Sequence, residues 1–359
     1  MAAVWYGTAD YQHSSPSLAR RSSTPGTSSS NTGTSSTPPS SPPEIMSQKE
    51  SSSALAVASH LISPGNADSA TSSLALPSTA FIKLSALIPP SNKFTYAGAA
   101  RLANRIAARV RKGIEAETRC YIHVCGVKEE MMESIENAFK NVGIRSTVRF
   151  TFEQELEALI IKCKISHAHD KTSRSFMIEL SCKIASLPGH SRYSVVPIGS
   201  QTFSVPGKRS KEGDEGIKPT NTRVDEDEWP SLMVEVGYSE TLGELHADAH
   251  WWLENSKERT RMAILIQISK NPKSMRIELW EMLENEDQPG TRSRTKKAAG
   301  FKYFYVIDET GDITHKDSHP DLVIPYSTIF DTGYENGTDI TISKEELSQW
   351  ALYVFSGLH

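Results

Sequence analysis

The chain has 359 residues, 38% hydrophobic and 23% charged, with a formal net charge of -4. That is apolar mass for one large domain or two small ones, and it excludes collagenous, disulfide-stapled and membrane-bundle classes. The slightly acidic balance also excludes a global basic field for nucleic acid, while leaving room for a local basic patch.

Residues 1–90 differ from the rest. "SSPSLARRSSTPGTSSSNTGTSSTPPSSPPE" is Ser, Thr, Pro and Gly with almost nothing to bury, so a disordered tail is expected over 1–90. "TAFIKLSALIPP" at 79–90 is its first apolar cluster, readable as a docking segment or as a sticky patch. One α/β domain is expected over 91–359. "TYAGAARLANRIAARVRKGIEA" is Ala- and Arg-rich and predicts a helix, and "RCYIHVCGV" at 119–127 predicts a short strand. "KEEMMESIENAFKNVGI" at 128–144 predicts an amphipathic helix with Met131, Met132, Ile135 and Phe139 on one face, ended by Gly143.

"STVRFTF", "LEALIIKCKISH" and "SRSFMIELSCKIASL" read as strands, and the polar, Gly- and Pro-marked stretch 206–228 reads as a connection. "SLMVEVGYSE" at 231–240 predicts a central strand. In the following "ETLGELHADAHWWLENS", Leu242, Leu245, Ala249, Trp252 and Leu253 keep helical spacing. "RMAILIQIS", "SMRIELWEML" and "KYFYVIDE" predict further strands. "SKEELSQWALYVF" predicts a closing helix with Ser343 as N-cap and Glu346 at the capping-box position. Strand, helix, strand after residue 230 points to an α/β core around a mixed sheet.

Four cysteines without a C-x-x-C pair argue for small buried thiols over a zinc site. No run reaches the roughly 18 apolar residues of a membrane span, and the N-terminus lacks a charged region followed by an apolar one. A reducing compartment, cytoplasm or nucleus, is expected.

One residue does not fit its strand. Leu232, Val234 and Val236 fall on one side of 231–240, Met233 and Glu235 on the other. Both sides are apolar apart from a carboxylate, and an ionised buried carboxylate needs a cation or donors. Glu235 is therefore the first candidate site residue, with pairing to a buried Arg or Lys as the plain alternative. The other polar motifs have plain readings. His246 and His250 in "HADAH" have zinc-compatible spacing but lack the glutamate of a metalloprotease helix, so solvent-facing histidines are expected. "HAHD" at 167–170 reads as a strand end, Trp251-Trp252 as core aromatics, and "DEDE" at 225–228 as a solvated loop. "TRSRTKKAAGFK" at 291–302 is either a phosphate-touching patch or an ordinary basic loop.

"SKEGDEGIKP" at 210–219 followed by "WPSLMVEVGYSETLGELHADAHWWLENS" at 229–256 resembles a set of uncharacterised fungal proteins similar to the PD-(D/E)XK, or restriction-endonuclease-like, superfamily. The resemblance covers about residues 120–285. It implies an α/β fold with a restriction-endonuclease-like core, a mixed central sheet flanked by helices. It implies a Mg²⁺ site, with Mn²⁺ as substitute, held by Asp214 and Glu235 and by a further acid on the 128–144 helix, Glu133 or Glu130. Mg²⁺ prefers carboxylate and carbonyl oxygens and activates water for in-line attack on a phosphodiester. The family's Lys two positions after the acid is Gly237 here, and its Pro before the first acid is Gly213. Where branches carry that Lys on the next helix, the matching turn offers His246. Two functions follow: a Mg²⁺-dependent nuclease acting on nucleic acid with Asp214, Glu235 and His246 as its catalytic set, or a catalytically inactive nuclease-fold binding or interaction module.

Overall fold

The computed structural model describes residues 78–359 apart from 117–119, 164–166, 239, 285–296, 316–320, 333–337 and 359, within the compact unit Ala70–His359. Residues 1–77 of the expected tail and 291–296 of the basic stretch lie outside the described residues.

The first half of the chain runs α1 (Thr79–Leu87), β1 (Lys93–Thr95), α2 (Ala99–Ala116), β2 (Cys120–Cys125), α3 (Met132–Asn141), β3 (Val148–Glu153), β4 (Ala158–Cys163) and α4 (His167–Ala185). Next come β5 (Val195–Pro197), β6 (Thr202–Val205), β7 (Arg209–Glu212), β8 (Glu215–Pro219) and β9 (Leu232–Tyr238). Then α5 (Leu242–Asn255) leads to β10 (Met262–Lys270), β11 (Lys273–Glu284), β12 (Lys297–Asp308) and β13 (Ile313–His315). The end is β14 (Leu322–Ile324), α6 (Tyr326–Ile329), β15 (Ile340–Ile342) and α7 (Lys344–Phe355).

The strands form two large mixed sheets and a two-stranded antiparallel sheet of β14 and β15. The first sheet has the order β1-β2-β4-β3-β7-β6, the second β13-β12-β11-β10-β9-β8-β5. In the first, β1 and β2 are parallel and the other pairs antiparallel. Its strands alternate with period 2. Val148, Phe150, Phe152, Leu159 and Ile161 meet α2 and α3 through Leu102, Ile106, Ile135 and Phe139. The opposite side presents Arg149, Thr151, Glu153 and Lys162, all buried as well. A sheet with a polar, buried side must satisfy each charge internally. α1 covers part of that side, seating Phe81, Leu84 and Ile88 against Tyr121, Ala158, Ile160 and Ala247. The apolar cluster at 79–90 is thus a helix packed on the domain.

The second sheet holds the expected centre. β9 is antiparallel to β8 and parallel to β10, with α5 as the crossover between the parallel pair. Leu232, Val234 and Val236 face a core shared with α4 and α7. Leu245, Ala249 and Leu253 of α5 cover Ala263 and Leu265 on the other side. The predicted capping box at Ser343–Glu346 is present, and the structure shows a second one, at Thr241–Glu244, opening α5.

The two sheets are joined by one continuous piece of chain. β7 belongs to the first, β8 to the second, and Gly213 and Asp214 alone separate them. The 206–228 stretch is therefore not a connection: Lys211, Glu212, Asp214, Lys218 and Arg223 within it are all buried. Its polarity hid two strands because its charges are neutralised by partners distant in sequence. The second correction is α4, expected as a strand. Ala168, Thr172, Ser173, Phe176, Met177, Leu180 and Ile184 are buried at spacings of three and four, a helical stripe that β-prone side chains disguised.

Arg223 clasps the far end of this region. It is 1% exposed, donates to both Asp331 oxygens at 2.9 and 2.7 Å, and reaches the carbonyls of Trp229 and Arg259 at 2.6 and 2.9 Å. Those bonds hold the Asp331 carboxyl well below the ordinary range. Arg223→Met leaves the Trp229 and Arg259 carbonyls without this donor and Asp331 with Arg261 and Thr222 as its remaining partners among the described residues, and is expected to lower stability by about 3 kcal/mol in urea unfolding. An unchanged midpoint would show the clasp to be thermodynamically idle.

Candidate functional site

The charged side of the first sheet and the α5 side of β9 meet at the β7–β8 junction. Strand alternation sets what they bring. Tyr121 and Lys162 are cross-strand partners on β2 and β4, and Lys211 of β7 lies opposite Thr151 of β3. On β9, Met233, Glu235 and Gly237 share the side that faces α5. From α5 itself Glu244, Asp248 and Trp252 are buried.

The centre of the cluster is an ammonium. Lys162 Nζ lies 3.2 Å from Asp214 Oδ2, 3.5 Å from Glu240 Oε1, 3.7 Å from Glu235 Oε2 and 3.8 Å from Asp248 Oδ2. Lys211 Nζ is the second cation, 2.7 Å from Asp248 Oδ1 and 3.7 Å from Glu235 Oε1. Trp252 Nε1 donates to Glu235 Oε1 at 2.6 Å, and the Tyr121 hydroxyl donates to Glu240 at 2.8 Å. Asp214 Oδ2 also accepts from the Val236 backbone N–H at 3.1 Å and lies 2.9 Å from His169 Nε2. Asp214 and Glu235 are each 1% exposed, Lys211 3% and Lys162 5%, so these are interior charges.

Their proton affinities follow from burial and neighbours. Burial favours the neutral amine of Lys162, but Asp214, Glu240, Tyr121 and Glu235 overcome it and hold the group well above the usual lysine range. Lys211 behaves alike, raised by Asp248 and Glu235 against burial. Glu235 is pushed up to about 8 by burial, with Lys211 pulling down and Asp214 and Asp248 pushing further up. Glu240 is raised by burial in the same way. Four carboxylates face two ammoniums, and a proton on Glu235 relieves part of the surplus negative charge.

Glu235 therefore has the plain explanation weighed from the sequence: buried lysines pair with it. Asp214 and Glu235 do converge, as the resemblance implies. The other two predicted residues go elsewhere. His246 projects from α5 toward β11, with Nε2 2.8 Å from Glu278 Oε2 and its ring 4.7 Å from that of Trp280. Burial alone would raise Glu278, but the bonds from His246, Trp280 and Arg276 bring it down to about 2. His250 pairs with Glu254 at 2.8 Å, so the "HADAH" histidines serve separate carboxylates. Glu133 and Glu130 are exposed near the start of α3, which packs on the apolar side of the first sheet, whereas Lys162 points from the other side. The sheet stands between them and the cluster, and the further acids come from Asp248 and Glu240 instead.

The departures from the family pattern have steric causes. A Cβ at Gly237 would lie 2.9 Å from Glu240 Cβ and 3.0 Å from Leu245 Cδ1, so α5 packs too closely for a lysine there. A Cβ at Gly213 would lie 2.2 Å from Met233 Cε and 2.9 Å from Trp252 Cζ2, which leaves no room for a proline. Lysines from β4 and β7 bring positive charge to the acids by another route. Lys162 was legible in principle: it interrupts the apolar run "ALIIKC" as Glu235 interrupts its own. His169 was hidden by the reading of "HAHD" as a strand end; it sits in the first turn of α4, 3% exposed.

The carboxylate donors suit a hard cation such as Mg²⁺, but their arrangement does not fit one. Mg²⁺ draws its oxygens to about 2.1 Å. Here an ammonium stands among them, and the described residues contain no group of three or more His, Cys, Asp or Glu placed to hold a metal ion. No helix among the described residues is long and apolar enough to cross a membrane. Compared with protein-family models, curated proteins and solved structures, the chain matches none.

Proposed function

We propose that this chain is a nuclease-fold binding module whose acid pair is neutralised internally. The observation that carries this reading is Lys162, whose ammonium lies within 3.2–3.8 Å of all four carboxylates of the cluster. Positive charge is built into the strands, so the acids need no metal to remain buried. Burial of the whole cluster agrees: its charges stabilise the junction of two sheets and are not presented to a substrate. The restriction-endonuclease-like core belongs to this proposal, supported by the mixed, helix-flanked second sheet and by the meeting of Asp214, just before β8, with Glu235 of β9 at Lys162.

A second reading, a Mg²⁺-dependent nuclease acting on nucleic-acid phosphodiesters, is favoured by one observation. Carboxylates outnumber ammoniums by two in the cluster, so that with Glu235 ionised the surplus equals the charge of one divalent cation. Thermal unfolding of the full chain with Mn²⁺ and Mg²⁺ separates the two. The binding-module reading expects an unchanged Tm for wild type and for Asp214→Asn, with no cleavage of DNA or RNA. A rise in the wild type of about 4 °C or more, absent in Asp214→Asn, would establish a metal site and transfer the case to the nuclease.

A further inference from the structure

We propose that the cleft beside Arg149, on the outer side of the β7–β8 junction, is a binding site for a phosphoryl oxyanion. The cleft has a volume of about 610 Å³, and its walls include Lys140, Arg145, Arg149, Ser146, Ser200 and Glu136. It lies one residue from the acid cluster, because Arg149 Nε donates to the Gly213 carbonyl at 3.1 Å.

Arg149 is the reason to expect an anion. Its side chain comes from the charged side of β3 and is 8% exposed. Nη1 donates to the carbonyls of Val148 and Ser146 at 2.9 and 3.3 Å. All three of these bonds go to neutral carbonyls, and among the described residues no carboxylate pairs with the guanidinium and Nη2 has no partner. A largely buried charge with only neutral acceptors is costly, and an oxyanion in the cleft supplies the missing counter-charge. The neighbouring arginine does not share this state. Arg145 is held by Glu136 at 2.5 and 2.7 Å and by Glu212, so the one carboxylate in the wall is already committed.

What remains facing the cleft is the Arg149 guanidinium, the exposed Lys140 ammonium and the exposed Ser146 and Ser200 hydroxyls. A planar fork, a point charge and two rotatable hydroxyls donate from different directions. That set matches the several oxygens of a tetrahedral phosphoryl group better than a planar carboxylate. The site names the ligand class of the binding module. It rests on that reading for its biological partner, not for its chemistry.

The test is thermal unfolding and calorimetric titration of the full chain with inorganic phosphate, against chloride at equal ionic strength. A short single-stranded thymidine oligonucleotide is the second probe. Ser200→Asp and Lys140→Glu place negative charge at the mouth from exposed positions, and their unchanged Tm without phosphate checks that the fold is kept. Phosphate is expected to raise the wild-type Tm where chloride does not. Its affinity is expected to fall about tenfold or more in each variant, because like charges are brought together. Oligonucleotide binding with the same loss would identify the phosphoryl group as part of a nucleic-acid backbone; phosphate binding without oligonucleotide binding would identify a free or terminal phosphate. No phosphate-specific shift, or an equal one in wild type and both variants, overturns the proposal. A Mn²⁺-dependent shift lost in Asp214→Asn would overturn the binding-module reading and leave the phosphate result untouched.

Discussion

Lys162→Met is expected to destabilise the protein by about 3–5 kcal/mol, the cost of leaving buried charge without its counter-ion. Methionine preserves much of the side-chain length, so the loss is electrostatic and not a cavity effect. Four carboxylates within 3.8 Å of the removed ammonium would be left with Lys211 as the remaining cation of the cluster. The check is urea unfolding at neutral pH, with an unchanged slope to confirm that the denatured state is the same. Adding Asp214→Asn to Lys162→Met is expected to recover part of the loss, because the double variant buries one negative charge fewer. A loss below about 1 kcal/mol would mean that the carboxylates take up protons or water instead, and that the ammonium is not what holds the junction.

The second large effect is a pH dependence centred on Glu235. Its carboxyl titrates near 4.5 when unperturbed and is raised to about 8 in the fold. Between those values the folded protein holds a proton that the unfolded chain has released. Stability from this group is therefore complete below about 4.5 and is lost as pH rises through about 8, with a slope of at most about 1.4 kcal/mol per pH unit. Glu240 adds to the fall in the same direction. Glu235→Gln removes the titration while its amide oxygen can still accept from Trp252. The variant is expected to show a flatter profile and to exceed wild type by about 2 kcal/mol above pH 8. Parallel wild-type and Glu235→Gln profiles would show that Glu235 is ionised throughout and that Lys162 and Lys211 neutralise it fully.

Much of the second sheet could be read in advance. β9, α5, β10, β11, β12 and α7 each stand where hydrophobic period and capping chemistry place them, because their burial is decided by their own side chains. Glu235 was found by the same rule, as a charge inside an apolar strand. Reading failed where charged residues are buried against one another. β7 and β8 carry Lys211, Glu212, Asp214 and Lys218, which look solvated until their partners are known. The partners of Lys211 and Asp214 lie on β4, β9, α4 and α5. The helix of α4 was missed for a related reason: His169, Thr172 and Ser173 form part of its buried stripe, and polar residues do not register in a hydrophobic pattern.

The sequence settled the α/β class, the central strand and its crossover helix, the cap of the closing helix, and the presence of one carboxylate that must have a partner. These depend on local period and on the cost of burying a single group, which neighbours in the chain already define. Which cation meets that carboxylate, which side of each sheet a charge faces, and why glycines stand at 213 and 237 were settled by packing. Ion pairing acts across a few ångströms of space, and the chain brings Lys162 to Glu235 from 73 positions away.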